Sequence, residues 1–357
     1  MLDATGQVYL DLGDSSIARN LFEQSLEIDR SLVETMSSIE SRQGEARSLL
    51  SLSDVCHQTG EMATAVEFAQ RARQIYDEID DKRGLATSLN RLGVLRRRQG
   101  YIGEAKRFQG EALAVRRQIG DRAGMANDLQ RLGIIYGVQG QWDKALSHYK
   151  EALNIYEETG DKIGKAHTFV CMGEAYRWAA QIDDALRTYE RAIQLYKEMG
   201  STIGIAACFN NLGATHLFAG HAEKATELLR QAQVLQKQQL GIEGEPECLA
   251  YLSAATLQLG QMNEALSYSD LAVSVLRSRQ FSEEDIQLTY YYRYLILDAL
   301  RLQADAIEAL RVAYQNVIEQ AESLKDEEGR QGFIENFPLR KNICEAWKRI
   351  GTEGLTR

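Results

Sequence analysis

The stretch DRAGMANDLQRLGIIYGVQGQWDKALSHYKEALNIYEETG, residues 121–160, contains four small residues that return at steps of 40 along the chain. Gly133 and Gly140 belong to two of these series, and Ala145 and Ala152 belong to the other two. The glycine series are Ser53, Gly93, Gly133, Gly173, Gly213, Ser253 and Gly60, Gly100, Gly140, Ala180, Gly220, Gly260. The alanine series are Ala65, Ala105, Ala145, Ala185, Ala225, Ala265 and Ala72, Ala112, Ala152, Ala192, Ala232, Ala272. This registered pattern predicts a repeat protein whose units stack on their neighbours.

Each 40-residue repeat is predicted to contain two helices joined by a turn. In the repeat that starts at Asp161, the first helix is expected to end near Ala180, and the second to run from Ile182 to Glu198. Glycine suits the left-handed residue that ends a helix, and Asp or Ser suits the N-cap of the next helix. The expected terminal glycines are Gly120, Gly160 and Gly200, and the expected N-caps are Ser41, Asp81, Asp121, Asp161 and Ser201.

The first helix of each repeat has one continuous apolar stripe. In each repeat, one large apolar residue lies four positions before the member of the first glycine series, and a second lies one position before it. They are Leu49, Leu52, Leu89, Leu92, Leu129, Leu132, Phe169, Met172, Phe209, Leu212, Leu249 and Leu252. These positions share one helical face, and the small residue beside them predicts a close approach of two helices.

These residues resemble the tetratricopeptide repeat family, in its subtype with a 40-residue period. The best match is Leu129, Leu132, Gly133, Tyr136, Ala145, Tyr149 and Ala152. The resemblance covers residues 42–280 most strongly and implies an all-α, right-handed superhelical solenoid of antiparallel helix hairpins. It also implies a protein-interaction module whose first helices line a concave surface. The segment from Phe333 to Trp347 is similar to the C-terminal end of bacterial multidomain signalling regulators, which favours a bacterial origin.

The flanks of the repeats predict three further segments. Residues 1–40 are expected to form an irregular N-terminal hairpin, followed by six repeats over residues 41–280. Residues 281–325 predict a divergent hairpin that starts with a capping box of Ser282 and Asp285. Residues 326–357 predict a capping helix and tail, because Leu339, Ile343, Trp347 and Ile350 form one apolar face after Pro338.

Composition narrows the function classes. The five cysteines are scattered, and the acidic start does not resemble a signal peptide, which favours a cytoplasmic protein without disulfides. The net charge is −10, which disfavours nucleic acid and anionic membranes as partners. However, residues 82–120 contain ten basic and two acidic side chains, so this segment carries +8 and the rest of the chain −18. We find no sequence motif for catalysis, for a metal or for a cofactor, and therefore expect no enzymatic activity.

The candidate binding site is the side of the first helices opposite the apolar stripe. We call it the first-helix face, and it comprises positions −6, −3, +1, +4 and +5 relative to the first glycine series. Side-chain amides suit an extended peptide backbone, arginines suit carboxylates, and aromatic rings suit an apolar anchor. The predicted peptide-binding groove contains Asn90, Arg97, Arg98, Asn127, Gln130, Glu174, Arg177, Trp178, Asn210 and Phe218. Arg97 and Arg177 are expected to lie on this surface without packing.

The favoured function is a scaffold or sensor that binds an acidic protein segment or peptide, with a monomer as the favoured oligomeric state. One alternative is a regulatory or autoinhibitory arm of a larger signalling ATPase, protease or transcription regulator. A second alternative is nucleic-acid contact through the basic repeat, residues 82–120. The acidic remainder of the chain and the lack of interleaved aromatic residues count against this second alternative.

Overall fold

The computed structural model describes residues 2–36, 38–278, 282–324 and 327–354, which form helices and short connections without any β-strand. The helices, in chain order, are α1 (Leu2–Asp11), α2 (Ser15–Met36), α3 (Ile39–Gln58), α4 (Met62–Glu78), α5 (Lys82–Arg98), α6 (Ile102–Ile119), α7 (Arg122–Val138), α8 (Trp142–Thr159), α9 (Lys162–Trp178), α10 (Ile182–Glu198), α11 (Thr202–Phe218), α12 (Ala222–Leu240), α13 (Pro246–Gln258), α14 (Met262–Ser278), α15 (Glu283–Ala299), α16 (Gln303–Ser323), α17 (Glu327–Glu335) and α18 (Pro338–Gly354). The predicted fold class is confirmed: consecutive helices pack as antiparallel hairpins.

The chain divides into two compact units, Met1–Ile135 and Tyr136–Arg357, and the division falls within α7. In unit 1, α1 packs on α2, α3 on α4 and α5 on α6, and α3 also contacts α5. In unit 2 the hairpins α9/α10, α11/α12, α13/α14 and α15/α16 stack in order, and first helices contact first helices. The predicted domain boundaries at 280/281 and 325/326 fall on residues outside the described ranges.

The sequence-derived helix ends agree with the structure except at the start of the first repeat. Gly120, Gly160 and Gly200 have φ values of 70°, 72° and 67°, as expected after a helix. The side chains of Asp81, Asp161 and Ser201 accept hydrogen bonds as N-caps, as predicted. Ser41 was expected to cap α3, and this is wrong: Ser38 is the N-cap and accepts a hydrogen bond from the Ser41 N–H at 3.1 Å. The long helix α2 ends at Met36, so α3 begins earlier than the 40-residue register predicts.

The apolar stripe of the first helices is buried, with Phe209 half-buried. The close approach predicted at the glycine positions is present within the hairpins. A Cβ atom on Gly173 would lie 2.6 Å from the ring of Tyr189, and one on Gly213 would lie 2.5 Å from Leu229 Cγ. Glycine therefore lets a large side chain of the second helix lie directly against the backbone of the first.

The C-terminal region forms two helices, α17 and α18, where the sequence predicted one. The capping box of Ser282 and Asp285 is present at the start of α15. The apolar face of α18 packs on α16, and Trp347 stacks on Tyr314 with ring centroids 5.2 Å apart. Trp347 belongs to the apolar face that the sequence predicted for this helix, and its role as a cap stays a prediction. The additional helix α17 and the bend after it direct Phe337 toward other repeats of unit 2.

The Gly173 contact can be tested with a matched pair of substitutions. Gly173→Ala should destabilise the protein by about 1–3 kcal/mol, because the added methyl group collides with the buried ring of Tyr189. Gly110→Ala should instead stabilise it by up to about 1 kcal/mol, because Gly110 lies within α6 and a Cβ atom there would meet no neighbour within 4 Å. Thermal unfolding followed by circular dichroism measures both effects. Equal shifts for the two variants would contradict the steric explanation.

Candidate binding faces of the first helices

The ten predicted groove residues are divided equally between the two units. Unit 1 contains Asn90, Arg97 and Arg98 on α5, with Asn127 and Gln130 on α7. Unit 2 contains Glu174, Arg177 and Trp178 on α9, with Asn210 and Phe218 on α11. Each unit therefore has its own candidate face, and the two faces differ in chemistry.

In unit 1 the side chains of Asn90 and Asn127, which were predicted to bind a ligand, make hydrogen bonds to other residues of the protein. The Asn90 side-chain amide donates to Gln109 Oε1 at 3.1 Å and to Asp128 Oδ1 at 2.6 Å. In return, Gln109 donates to the main-chain carbonyl of Asn90 at 3.0 Å. Asn127 Oδ1 accepts from Arg131 Nε at 2.9 Å. Asn90 and Asn127 thus connect neighbouring helices, and their contact with a ligand stays a prediction.

The sequence pattern did not reveal the buried ion pair beneath these amides. Asp128 is 0 % exposed and lies 3.3 Å from Arg116 Nε, which was counted only as part of the basic segment. Burial raises the pKa of Asp128 to about 6, and Arg116 and Asn90 oppose this rise. A sequence signal was available, because the equivalent positions of the other repeats hold small residues. These are Ser48, Ser88, Thr168, Cys208 and Cys248, all buried.

A positively charged cluster lies at the C-terminal ends of α3 and α5. Burial, together with the nearby charges of Arg98, Arg91 and Arg97, lowers the pKa of His57 to about 4. Arg98 is exposed, whereas Arg91 pairs with Asp54 at 2.7 Å. The arginines near His57, of which Arg98 is exposed, favour a negatively charged ligand at this face of unit 1.

Much of the remaining basic segment is neutralised by ion pairs. Two of its cations pair with acids outside the segment, Lys82 with Asp80 at 2.6 Å and Arg116 with Asp128 at 3.3 Å. Inside the segment, Arg96 pairs with Glu104 and Arg107 with Glu111. The +8 of residues 82–120 therefore does not form one continuous basic surface. This arrangement weakens the case for contact with a nucleic-acid backbone, which needs several cations along one track.

In unit 2 the expectation that Arg177 does not pack is wrong. Arg177 is only 7 % exposed, and its Nη1 donates to the Tyr251 hydroxyl at 3.2 Å. Its guanidinium lies 4.7 Å from the ring centroid of Trp178 and 5.5 Å from that of Phe218. The cation is buried because aromatic side chains of three different first helices surround it. Replacing Arg177 would therefore disturb packing as well as charge.

Acidic and amide side chains lie on the same face of unit 2. The Asn210 amide donates to Glu247 Oε2 at 2.9 Å, and Glu247 is one helical turn from Tyr251 on α13. Burial raises the pKa of Glu247 to about 7, with Arg177 opposing the rise. Burial also raises the pKa of Glu174. Burial is the largest cause of both shifts, so both carboxyl groups lie in a confined environment that disfavours their ionised form.

Several buried polar atoms of this face have no internal partner. Arg177 Nε and Asn210 Oδ1 are buried and make no hydrogen bond to any described residue. Buried polar groups in folded proteins are nearly always satisfied. These two atoms offer a donor and an amide acceptor on the face that also carries Trp178 and Phe218, the latter 46 % exposed.

Aromatic rings form a row along the same face of unit 2. The ring centroids of Trp178 and Phe218 are 5.5 Å apart. Phe337, from the bend between α17 and α18, lies 5.6 Å from Trp178 and 5.5 Å from Trp142. Trp178 and Phe218 thus lie in contact, and a side chain of the same polypeptide contacts Trp178; their role as an anchor for a ligand stays a prediction.

The family of this chain follows from its matches to protein-family models. Models described as tetratricopeptide repeat match residues 44–118, 84–158 and 164–238, and another matches residues 4–32. Together these matches cover more than half of the chain. The chain belongs to the tetratricopeptide repeat family. No curated protein sequence matches it.

Solved structures with the same tetratricopeptide fold include signalling proteins. The apo form of RapI is 12% identical with a TM-score of 0.63, over 79% of this chain and 99% of that chain. A Rap protein complexed with competence and sporulation factor is 13% identical with a TM-score of 0.62, over 98% of both chains. A signal transduction ATPase with numerous domains from Pyrococcus horikoshii, which has a tetratricopeptide repeat sensor, is 14% identical with a TM-score of 0.61, over 93% of this chain and 52% of that chain. At these identities the likeness concerns the fold alone.

Two further findings concern the tetratricopeptide array. Within the described ranges, no helix is both long and apolar enough to cross a membrane. The same residues contain no group of three or more His, Cys, Asp or Glu side chains arranged to hold a metal ion.

The raised pKa of Glu247 predicts a pH-dependent stability difference. Because the folded-state pKa is about 7 against an ordinary 4.5, the carboxyl contributes most to stability below pH 4.5, and this contribution is lost as the pH rises toward 7. Glu247→Gln keeps an acceptor for Asn210 and carries no charge. The variant should therefore resemble the wild type at pH 5 and exceed it at pH 8 by about 1–3 kcal/mol.

Melting temperatures at pH 5 and pH 8 measure this difference. Glu67→Gln, exposed on α4, serves as a control for the general loss of one negative charge. The explanation fails if Glu247→Gln changes the melting temperature equally at both pH values, or if the control shows the same pH dependence.

Proposed function

We propose that this tetratricopeptide repeat protein is a binding module, a scaffold or sensor that holds a segment of another polypeptide on its first-helix faces. The observation that carries the proposal is the pair of unpartnered polar atoms on the first-helix face of unit 2, Arg177 Nε and Asn210 Oδ1. A peptide backbone presents both acceptors and donors and would satisfy such atoms. The neighbouring rings of Trp178 and Phe218 would bury an apolar side chain of the same segment.

An acidic ligand is supported in unit 1 only. There, the exposed Arg98 and its neighbours Arg91 and Arg97 surround His57 with positive charge. In unit 2, Glu174 and Glu247 accompany Arg177, and an acidic segment would meet two carboxyl groups. We therefore restrict the proposed acidic contact to the face of unit 1.

The structural neighbours support a sensor role. One Rap protein of this fold is complexed with competence and sporulation factor, and its alignment covers 98% of both chains. The Pyrococcus horikoshii protein carries its repeats as a sensor of a signal transduction ATPase. By analogy of fold, a tetratricopeptide array of this size is suited to receive a signalling molecule.

A second candidate function is the regulatory arm of a larger signalling protein. The observation that favours it is the alignment with the Pyrococcus horikoshii ATPase, which covers 93% of this chain and 52% of that chain. In that case the bound segment would belong to the same polypeptide or complex. Under either function we propose a non-enzymatic, cytoplasmic and monomeric protein, without a cofactor.

A random peptide library selected on the immobilised full-length protein tests the binding function. Selected peptides should lose about tenfold in affinity toward Arg98→Glu or Phe218→Ala, because loss of a central contact typically has this effect on affinity. Arg187→Glu, on α10, and Val234→Ala, on α12, are the matched controls, because both side chains are exposed on second helices, away from the positions of the first-helix face. Arg177 is not replaced, because it is buried.

Fluorescence anisotropy gives the affinities, and circular dichroism verifies that each variant is folded. The proposal is overturned if the control substitutions weaken the selected peptides as much as Arg98→Glu and Phe218→Ala do. It is also overturned if no peptide is selected.

A further inference from the structure

The aromatic row of unit 2 contains one ring that comes from a distant part of the sequence. Trp142, Trp178 and Phe218 belong to the repeats, and Phe337 lies between the first two, with centroid distances of 5.5 and 5.6 Å. Both contacts have tilted or edge-to-face geometry, with interplanar angles of 72° and 60°. Such geometry is favourable for aromatic pairs. The gap between Trp142 and Trp178 therefore fits one aromatic side chain, and we call it the aromatic slot.

The residue before Phe337 is also held by the repeats. Asn336 Nδ2 donates to the main-chain carbonyl of Gln139 at 2.7 Å. Its Cβ atom lies 2.1 Å from the position that a Cβ atom on Gly140 would occupy. Only glycine at position 140 leaves room for this contact. At Gly220, the equivalent residue of a later repeat, the same position has no neighbour within 4 Å.

The attachment of this segment is uneven along its length. Arg340 is 3 % exposed, donates to Glu284 at 2.9 Å and to Gln287 at 3.2 Å, and fixes the start of α18 to α15. In contrast, Asn336 is exposed and Phe337 is half-buried. The Arg340 guanidinium also lies 4.3 Å from the centroid of the Phe337 ring. Departure of Phe337 from the aromatic slot would break this contact, while the hydrogen bonds of Arg340 to Glu284 and Gln287 keep α18 in place as a cap.

We propose that the aromatic slot is a binding site for an aromatic side chain, occupied by Phe337 of the same chain until a partner segment displaces it. The partner is a protein segment that presents an aromatic residue directly after a side-chain amide, since Asn336 and Phe337 show this chemistry in place. The segment is neutral or basic, because Glu174 lies one helical turn from Trp178 and Glu247 lies on the same face. This inference rests on the proposed function, and it names the ligand chemistry of unit 2.

A labelled peptide of residues 331–342, QGFIENFPLRKN, tests the slot directly. The full-length Phe337→Ala protein should bind this peptide about tenfold more tightly than the wild type, because the wild-type slot is occupied. A peptide with alanine in place of Phe337 should bind the Phe337→Ala protein about tenfold more weakly than the native peptide. Equal affinities of the wild-type and Phe337→Ala proteins, or of the two peptides, would overturn the proposal.

A matched pair of glycine substitutions provides a second test that leaves Phe337 intact. Gly140→Ala and Gly220→Ala place the same methyl group on left-handed residues with φ of 68° and 78°. Both incur the same backbone strain, but only Gly140→Ala collides with Asn336. Amide hydrogen exchange of residues 332–340 should accelerate at least about tenfold in Gly140→Ala and stay unchanged in Gly220→Ala. Equal exchange in the two variants would contradict the contact on which the proposal depends.

The outcomes separate this inference from the proposed function. If library peptides depend on Arg98 or Phe218 but Phe337→Ala leaves all affinities unchanged, the module binds polypeptides and the internal occupant of the slot is wrong. If the native 331–342 peptide binds the Phe337→Ala protein but library selection yields no peptide, the aromatic slot is an internal contact of this chain, and the proposed binding of another polypeptide is wrong.

Discussion

The close contact between the two helices of a hairpin is the constraint on which the rest of the structure depends. At Gly173 the ring of Tyr189 lies so near the first helix that even a methyl group would collide with it. This contact fixes the distance and rotation of the paired helices. The rotation in turn directs the apolar stripe inward, where Leu129 and Leu132 are buried, and leaves the opposite side of each first helix for the face of its own unit. Repetition of the contact every 40 residues produces the array.

The surface opposite the stripe is free to vary in chemistry, because hairpin packing does not depend on it. In unit 1 this surface carries arginines around His57, whereas in unit 2 it carries carboxyl groups, amides and aromatic rings. Charged groups near this surface reduce stability. The pKa values of Asp128 and Glu247, both raised by burial, show that ionised carboxylates are unfavourable there. Such groups are typical of binding sites more than of structural cores.

The aromatic rings of the candidate site in unit 2 also contact the C-terminal segment. In unit 2 the same rings that form the candidate anchor also receive Phe337, and Arg340 joins that segment to α15. A segment that leaves the aromatic slot would expose Trp178 without unfolding the hairpins, because the hairpin contacts lie on the other side of the first helices. The fold thus allows occupancy of the site to change while the array stays intact.

The sequence by itself determined the period, the helix pairs and most of the caps, because these follow from local periodicity and from the conformations that Gly, Asp and Ser favour. It did not determine which polar residues of the first-helix face are buried. Arg177 is buried by Tyr251, 74 residues away, and Gln139 binds Asn336, 197 residues away. Such contacts depend on how the repeats stack and where α17 turns, which no local pattern specifies. Tertiary structure therefore decided that Arg177 packs, that Arg116 neutralises Asp128, and that the chain occupies part of its own candidate site.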